Sequence, residues 1–185
     1  MPTKAAGRQR SSRSRIQILL LTVSLLLAAC TMELESGGSG NSGGSTVIGG
    51  GETARVTDII DGDTIDVDIN GVGYRVRYIG VNTPESDESC YDDATDANAN
   101  LVAGQTVTLV RDSSNTDRFG RLLRYVYVGN VFVNAQLVQD GWAEAVEYPP
   151  DTANADQFHQ LETQAARSNI GCHPTGIFDD GSDVR

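Results

Sequence analysis

An alternating hairpin near the middle of the chain restricts the possible folds more than any other feature. Residues 64–69 read TIDVDI, so apolar side chains take every second position. Asn70 and Gly71 follow and favour a tight two-residue turn, after which residues 72–81 return with the same alternation. The pattern therefore predicts two antiparallel strands that turn one face toward a core.

The remaining segments predict the other walls of that core. Further strands are predicted at residues 54–60, 105–111, 122–128 and 131–132, with a short extended piece at 142–146. Helices are predicted at residues 91–103, at 134–140, and from a cap at Asp151 or Thr152 to about residue 169. This order fits an α+β, mainly β fold: a five-stranded Greek-key barrel of the OB type with about three helices. It does not fit a parallel α/β sheet, because such a sheet would need a helix after most strands.

The beginning of the chain carries signals for export. Residues 1–15 contain five basic residues and no acid, and residues 16–27 form an almost unbroken apolar run. Such a segment, ending in small residues, is typical of a secretory signal peptide, and Cys30 directly after it resembles the lipobox of bacterial lipoproteins. We predict a lipoprotein signal peptide at 1–29, lipidation of Cys30, and a protein anchored in a bacterial membrane that faces the periplasm or the cell exterior. A plain cleaved signal peptide is the alternative.

The segments after Cys30 differ sharply in composition. Residues 30–51 are rich in glycine and serine, which predicts a flexible tether. We expect one folded domain at residues 52–178 and a short acidic tail at 179–185. Cys90 and Cys172 are an even pair in an exported domain, so they predict a disulfide, with two free thiols as the alternative.

The charge of the chain limits its partners. The formal net charge is −11, and no lysine follows Lys4. The domain is therefore more acidic still once the basic signal peptide is removed. A domain of this kind repels polyanions at long range. We therefore exclude a protein that holds nucleic acid through a broad basic surface.

Charged side chains converge at the ends of the predicted hairpin. Asp61 and Asp63 lie in the inward phase of the first strand, where a carboxylate is costly unless it is paired or bound to a metal. A solvated DGD turn is the simpler interpretation of that fragment alone. Arg77 on the returning strand and Glu85 at its end favour a functional site over a solvated turn. Together with the two aspartates, they predict oxygen ligands for a hard cation beside a group that binds phosphate. Arg121 would add a second guanidinium group for a phosphodiester.

Three separated segments resemble one known family. They read IDGDT at 60–64, VRYIGVNTPES at 76–86 and TDRFGRLLRYVYV at 116–128, and VNAQLVQDGWA at 133–143 is similar to the helix that follows the barrel in the same family. In order and spacing they resemble the thermonuclease family, typified by staphylococcal nuclease. The resemblance covers nearly all of the predicted domain. It implies an OB-fold barrel with calcium-dependent phosphodiesterase activity on DNA and RNA, which leaves 3′-phosphorylated products.

The resemblance also implies roles for individual residues. Arg77 and Arg121 resemble the pair that binds the phosphate, and Glu85 resembles the residue that handles the attacking water. Tyr148 lies near the tyrosines that line the nucleotide pocket in the family. It either stacks on a base or is an ordinary residue of the core or the rim.

Calcium ligands are implied in the same way. Asp63 resembles a direct ligand, the backbone carbonyl of Thr83 a further ligand, and Asp61 a nearby acid that contributes to the site. Asn82 stands where the type member has its second ligand carboxylate, so one formal negative charge is missing. We expect this change to weaken calcium binding without abolishing catalysis, and an Asn82→Asp variant to bind calcium more tightly.

These observations predict an exported, membrane-tethered, calcium-dependent nuclease that acts on DNA and RNA as a monomer. A non-catalytic nuclease-like module that binds nucleic acid or protein is the alternative. Such modules typically lack catalytic residues, whereas Arg77, Glu85 and Arg121 are all present. A calcium-binding surface protein without turnover is a third possibility.

Overall fold

The structure is a computed structural model that describes residues 50–179. The predicted signal peptide, the lipidation site Cys30, nearly all of the tether and nearly all of the acidic tail lie outside these residues. Among the helices of residues 50–179, none has the length and apolar character needed to cross a bilayer.

Short strands dominate the described part of the chain. The strands are β1 (Glu52–Ile59), β2 (Thr64–Ile69), β3 (Val72–Tyr78), β4 (Val81–Asn82), β5 (Thr106–Val110), β6 (Leu122–Val128), β7 (Val131–Phe132) and β8 (Glu144–Ala145). The helices are α1 (Tyr91–Val102), α2 (Val133–Gln139) and α3 (Ala155–Ser168), followed by single 3₁₀ turns at His173–Thr175 and Ile177–Asp179.

One sheet closes on itself to form the barrel. Its strand order is β3-β2-β1-β5-β6-β7, and β3 also pairs with β6 in parallel. That pairing sets Val76 opposite Leu122 and Arg77 opposite Leu123, so the two ends of the sheet meet. The predicted fold, a mainly β OB barrel with three helices, is therefore confirmed.

Apolar side chains fill the barrel as the alternation predicted. Ile65, Val67 and Val76 of the hairpin are fully buried, while Asp66 and Asp68, at alternate positions of β2, are only partly buried. Helix α3 packs mainly against α2, and its Phe158, about 1% exposed, belongs to the barrel core. The hydrophobic contacts therefore hold the ends of β2 and β3, where the charged residues lie, in a fixed frame.

The predicted long strand at 72–81 ends earlier than expected. It stops at Tyr78, the chain turns at Gly80 with φ +77°, and β4 then pairs with β8 in a separate two-stranded sheet. Glycine suits this turn because φ is positive and because a side chain here would collide with the ring of Phe158. The turn moves Asn82 away from the barrel wall and toward β8.

The last helix begins later than expected. The predicted caps were Asp151 and Thr152, but α3 starts at Ala155 with Asn154 at its cap position. Asp151 is buried, and its Oδ1 accepts hydrogen bonds from the backbone N–H groups of Ser113 and Ser114 at 3.0 and 2.7 Å. Its carboxylate therefore anchors the polar loop that precedes β6 and does not cap the helix.

The predicted disulfide is present. Cys90 and Cys172 are joined, and they are 82 positions apart in the sequence. The bond ties the start of α1 to the segment after α3. In chain-entropy models, closing a loop of this length stabilises the folded state by about 4–5 kcal/mol.

Candidate active site

A cavity of about 660 Å³ opens at one mouth of the barrel. The predicted site residues on its wall are Asp61, Asp63, Arg77, Glu85, Arg121 and Tyr148. Asn82 and Thr83 do not line it, and their side chains are buried at 1% and 3% exposure. The structure thus brings together side chains from four parts of the chain that the sequence singled out.

Asp63 lies at the start of β2 and is buried. Its Oδ2 accepts hydrogen bonds from the backbone N–H and the hydroxyl of Thr83 at 3.0 and 3.1 Å, and it lies 3.0 Å from Arg77 Nη1. Burial raises the pKa of Asp63 to about 6; the positive charge of Arg77 opposes this shift, and the negative charge of Asp61 adds to it. The site therefore keeps a carboxylate where a negative charge is costly, which is typical of a functional group.

Arg77 is held from several sides. Its Nη1 donates to the carbonyl oxygens of Tyr78 and Val81 at 3.0 and 2.8 Å. Its Nη2 donates to Asn82 Oδ1 at 3.0 Å, and the ion pair with Asp63 adds a charged partner. Because the protein itself supplies these contacts, the guanidinium group is oriented before any ligand arrives.

Asn82 connects Arg77 to a buried acid. Its Oδ1 accepts from Arg77, and its Nδ2 donates to Glu144 Oε1 at 3.0 Å. Asn82 and Glu144 are also direct partners in the pairing of β4 with β8. The side chain of Asn82 therefore lies between a guanidinium and a carboxylate, and both ends of its amide are used.

Arg121 is aimed by a tight turn, as the sequence predicted. Asp117 Oδ1 accepts from the backbone N–H groups of Phe119 and Arg121, both at 2.9 Å. Asp117 Oδ2 lies 2.7 Å from Arg121 Nε. Burial alone would raise the pKa of Asp117, but the hydrogen bonds from Arg121 and Phe119 outweigh burial and lower it. Asp117 is therefore a charged anchor for the loop and for Arg121.

Glu85 follows β4 at the rim of the cavity and is exposed. Its backbone N–H donates to Glu88 Oε2, and its carbonyl oxygen accepts from the N–H of Glu88, both at 2.8 Å. This small turn fixes the backbone of a residue that is exposed and lines the cavity. A carboxylate at an open rim has access to water, as a group that activates water must.

Comparison with known proteins decides the family. The sequence profile described as "SNase: Staphylococcal nuclease homologue" matches residues 75–172, which is more than half of the 185-residue chain. The chain belongs to the staphylococcal nuclease family. The matched stretch contains Arg77, Glu85 and Arg121, whereas Asp61 and Asp63 precede it.

Individual relatives in the staphylococcal nuclease family are similar over long stretches. The chain is 30% identical over 156 residues to "Thermonuclease" of Staphylococcus hyicus, which covers 81% of this chain and 91% of that protein. It is 33% identical over 126 residues to "Thermonuclease" of Staphylococcus intermedius, covering 65% and 75% of the two chains. It is 42% identical over 118 residues to "Endonuclease YncB" of Bacillus subtilis (strain 168), covering 60% and 56%.

Two exposed aromatic side chains flank the candidate site in this member of the staphylococcal nuclease family. Tyr148 is 44% exposed and lines the cavity, so it belongs to the rim and not to the core. Phe119 is 69% exposed, also lines the cavity, and lies with its ring centroid 4.7 Å from the guanidinium carbon of Arg118. Sequence reasoning missed Phe119, although a lone aromatic residue in the polar loop 112–120 is a usable signal.

Glu144 is the second residue that sequence reasoning missed. Only 7% of it is exposed, and it contacts Asn82 below the cavity. Its signal lies in the segment WAEAV, where Glu144 shares its phase with Trp142 and Val146. An acid in the apolar phase of an extended segment indicates a buried, partnered carboxylate.

The donor atoms at the cavity fit a hard cation. Asp61 Oδ1 accepts from the backbone N–H of Asp63 at 3.0 Å, and the two carboxylates are close enough for the charge of Asp61 to help raise the pKa of Asp63, after burial as the main cause. Within residues 50–179 no group of three or more His, Cys, Asp or Glu side chains is arranged to hold a metal ion. A cation here would therefore use carbonyl, amide, water or phosphate oxygens besides the two carboxylates, and such an all-oxygen set suits calcium.

Proposed function

We propose that this domain is a calcium-dependent nuclease that hydrolyses phosphodiester bonds of DNA and RNA and leaves 3′-phosphorylated products. Membership of the staphylococcal nuclease family supports the reaction class, and relatives named as thermonucleases and endonucleases agree with it. One observation carries the assignment to this cavity: Arg77 and Arg121 are each held by a carboxylate and both line it together with Glu85.

The two arginines would bind the phosphodiester. A guanidinium group offers paired N–H donors that match phosphate oxygens, and it remains charged at any working pH. Arg77 approaches from the barrel wall and Arg121 from the loop before β6, so they can contact different oxygens of one phosphate. Donors fixed in advance stabilise the extra charge that develops at phosphorus in the transition state.

Glu85 would handle the attacking water. Its carboxylate lies at the rim of the same cavity, where it can orient a water molecule and accept its proton. In-line attack requires the water and the leaving oxygen to lie on opposite sides of the phosphorus. The two arginines fix the phosphate, and Glu85 then defines the side from which water arrives.

The oxygens that would hold calcium are those of Asp63 and Asp61 and the carbonyl of Thr83. The amide oxygen of Asn82, the fourth ligand that the sequence suggested, accepts from Arg77 and would have to give up that hydrogen bond to reach a cation. When bound, a divalent cation neutralises phosphate charge and polarises the phosphodiester. The close contact of Asp61 with Asp63 supports this role, because a cation would relieve the cost of two neighbouring carboxylates.

The aromatic rim supports an unpaired strand as substrate. Phe119 and Tyr148 offer exposed rings on the wall of the cavity, and every base can stack on such a ring. The acidic domain offers no broad basic surface that would hold an intact duplex by its backbone. We therefore expect single-stranded DNA or RNA to be cleaved faster than duplex.

Export and tethering through a lipidated Cys30 belong to the same proposal. The Cys90–Cys172 disulfide supports an oxidising compartment, where such bonds persist. A lipid anchor at Cys30 followed by the Gly/Ser-rich segment 31–51 would leave a monomeric domain free to reach substrate outside the membrane.

The proposal is tested by incubating the purified protein with end-labelled single-stranded DNA at millimolar calcium and alkaline pH, with a chelator in a parallel reaction. We expect cleavage that needs calcium and products with 3′-phosphate ends. Tight binding of the oligonucleotide without cleavage would instead assign the domain to the non-catalytic modules. Mass spectrometry of the membrane fraction tests the lipid on Cys30.

A further inference from the structure

Glu144 lies below the candidate site and does not line the cavity. Strand β8 brings it into register with Asn82 on β4, although 62 positions separate the two residues in the sequence. Both side chains are buried, and the distance from Asn82 Nδ2 to Glu144 Oε1 is 3.0 Å. A hydrogen bond from an amide to a buried carboxylate is among the stronger ones in proteins.

This hydrogen bond determines which way the amide of Asn82 points. With Nδ2 directed at Glu144, Oδ1 is directed at Arg77 and accepts from its Nη2. The opposite orientation would set the amide N–H groups against the guanidinium donors and the amide oxygen against the carboxylate. Glu144 therefore excludes the orientation in which Asn82 could not accept from Arg77.

The contacts continue to the wall of the cavity. Glu144 holds Asn82, Asn82 holds Arg77, and Arg77 lies 3.0 Å from Asp63. Each link is buried or largely buried, so bulk water competes weakly for these donors and acceptors. A change at Glu144 is thus transmitted to a residue that would bind substrate.

We propose that Glu144 is a positioning residue that orients Arg77 through Asn82, and that Asn82 and Glu144 act as one unit carrying a single negative charge. The effect on cleavage rests on the proposed nuclease function. The orientation of Arg77 does not, since it concerns the protein without substrate.

The pairing alters what an Asn82→Asp variant should do. The sequence alone suggested that an added carboxylate would tighten calcium binding. In the structure, an aspartate at this position would set its carboxylate against that of Glu144 at hydrogen-bonding distance in a buried place. Like charges in such a place repel strongly. The single variant should therefore displace the side chain and release Arg77.

Exchanging the amide and the carboxylate between the two positions should restore the hydrogen bond between them. In the double variant Asn82→Asp with Glu144→Gln, the new glutamine amide donates to the aspartate, and the aspartate still accepts from Arg77. Glu144→Gln alone keeps an amide oxygen that accepts from Asn82 but removes the charge of the pair, so it should hold Asn82 and Arg77 less firmly than the parent protein does. The negative charge moves from one partner to the other, while the total stays the same.

A kinetic cycle on a single-stranded oligonucleotide tests the proposal. We expect kcat to fall roughly ten- to a hundredfold in Asn82→Asp, as for the loss of one strong hydrogen bond. We expect a smaller fall, about three- to tenfold, in Glu144→Gln and recovery to within about threefold of the parent protein in the double variant. Equal activity of Asn82→Asp and the parent, or a double variant no better than Asn82→Asp, would overturn the proposal.

Glu162 provides a matched control for the loss of one acidic charge. Its carboxylate on α3 is near enough to Glu144 for the two negative charges to repel, which contributes to the raised pKa of Glu162. Burial is the larger cause of that shift. Glu162→Gln should not rescue Asn82→Asp. Equal rescue by Glu144→Gln and by Glu162→Gln would mean that only local charge matters, and it would contradict the specific pairing.

A measurement without substrate separates this proposal from the nuclease assignment. In nitrogen-15 NMR spectra of the parent protein, the Arg77 Nη–H signals should be resolved because Asn82, Asp63 and the carbonyl oxygens restrict rotation of the guanidinium group. They should broaden in Asn82→Asp and return in the double variant. If this pattern appears in a protein without cleavage activity, the positioning role stands and the proposed function fails. Identical Arg77 signals in all variants would refute the positioning role.

Discussion

The two arginines of the candidate site are held in opposite ways. Arg77 lies on β3 with a side chain that is 13% exposed, and Asp63, Asn82 and two carbonyl oxygens hold it. Arg121 lies at the end of a loop, its side chain is 30% exposed, and its charged partner is Asp117 only four positions earlier. The barrel thus orients one guanidinium group, and a local turn orients the other. Loss of Arg77 should therefore reduce both stability and activity, whereas loss of Arg121 should reduce activity with little effect on stability.

Substitution of each arginine by alanine should give the largest difference in stability between the two sides of the site. Arg77→Ala removes the partner of a buried carboxylate, which costs about 3–5 kcal/mol in typical buried pairs. Arg121→Ala removes a partly exposed ion pair, so it should cost at most about 1 kcal/mol. Urea unfolding of the two variants at pH 8 measures the difference. A similar loss of stability in both would mean that the two sides are not held differently.

Asp63→Asn should change stability in the opposite direction. Its folded pKa of about 6 lies above the ordinary value of 3.8. The cost of its charge is therefore absent below about pH 4, grows between pH 4 and 6, and persists above. We expect the free energy of unfolding of the variant to be about 1–3 kcal/mol higher than that of the parent protein at pH 8. The variant should also lose calcium-dependent cleavage.

The advantage of Asp63→Asn should largely disappear near pH 4, since the folded parent carboxyl is then neutral and the unfolded one is only about half ionised. Unfolding curves at pH 4 and pH 8 in chelator provide this control. A variant less stable than the parent at pH 8 would show that the ion pair with Arg77 outweighs the cost of burial.

Asp117→Asn sharpens the comparison on the loop side. The lowered pKa of Asp117 means that its charge stabilises the fold above the ordinary carboxyl range, and that this contribution is lost as the pH falls through the folded pKa. The variant should lose about 1–2 kcal/mol of stability at pH 7 and roughly tenfold in kcat, because Arg121 is no longer aimed. Undiminished kcat would show that the turn orients Arg121 without its carboxylate.

The smallest effect is expected at the aromatic rim. Phe119→Ala removes a ring that is 69% exposed, so unfolding should be nearly unchanged. If bases stack on the ring, binding should weaken by about 1 kcal/mol, or about fivefold in KM for a single-stranded oligonucleotide. Val131→Ala, at another exposed apolar residue, is a control that should leave KM unaltered. Equal KM values for both variants would remove Phe119 from the substrate surface.

The same contrast explains what the sequence could predict. The hairpin was predictable because its period of two and its Asn70-Gly71 turn are local signals, and the tight turn at Asp117 was predictable for the same reason. The break in the third strand was not, because it depends on the contact of Gly80 with Phe158. Tertiary contacts of this kind leave no local pattern.

The surroundings of Asn82 show the same limit within the site. The matching segments predicted Asp63, Arg77, Glu85 and Arg121, and the structure places all four on one cavity. They could not predict that Asn82 is opposite Glu144, because that pairing depends on β4 leaving the barrel to join β8. The apparent loss of one charge at Asn82 is therefore accompanied by a buried acid 3.0 Å away.

We propose that this cavity hydrolyses phosphodiesters with water activated by Glu85. The most direct test compares the parent protein and Glu85→Gln in single-turnover cleavage of a labelled single strand at saturating calcium. Loss of a general base should slow cleavage roughly a hundred- to ten-thousandfold, while substrate binding stays within a few-fold of the parent. Cleavage by Glu85→Gln at the rate of the parent protein would contradict the claim.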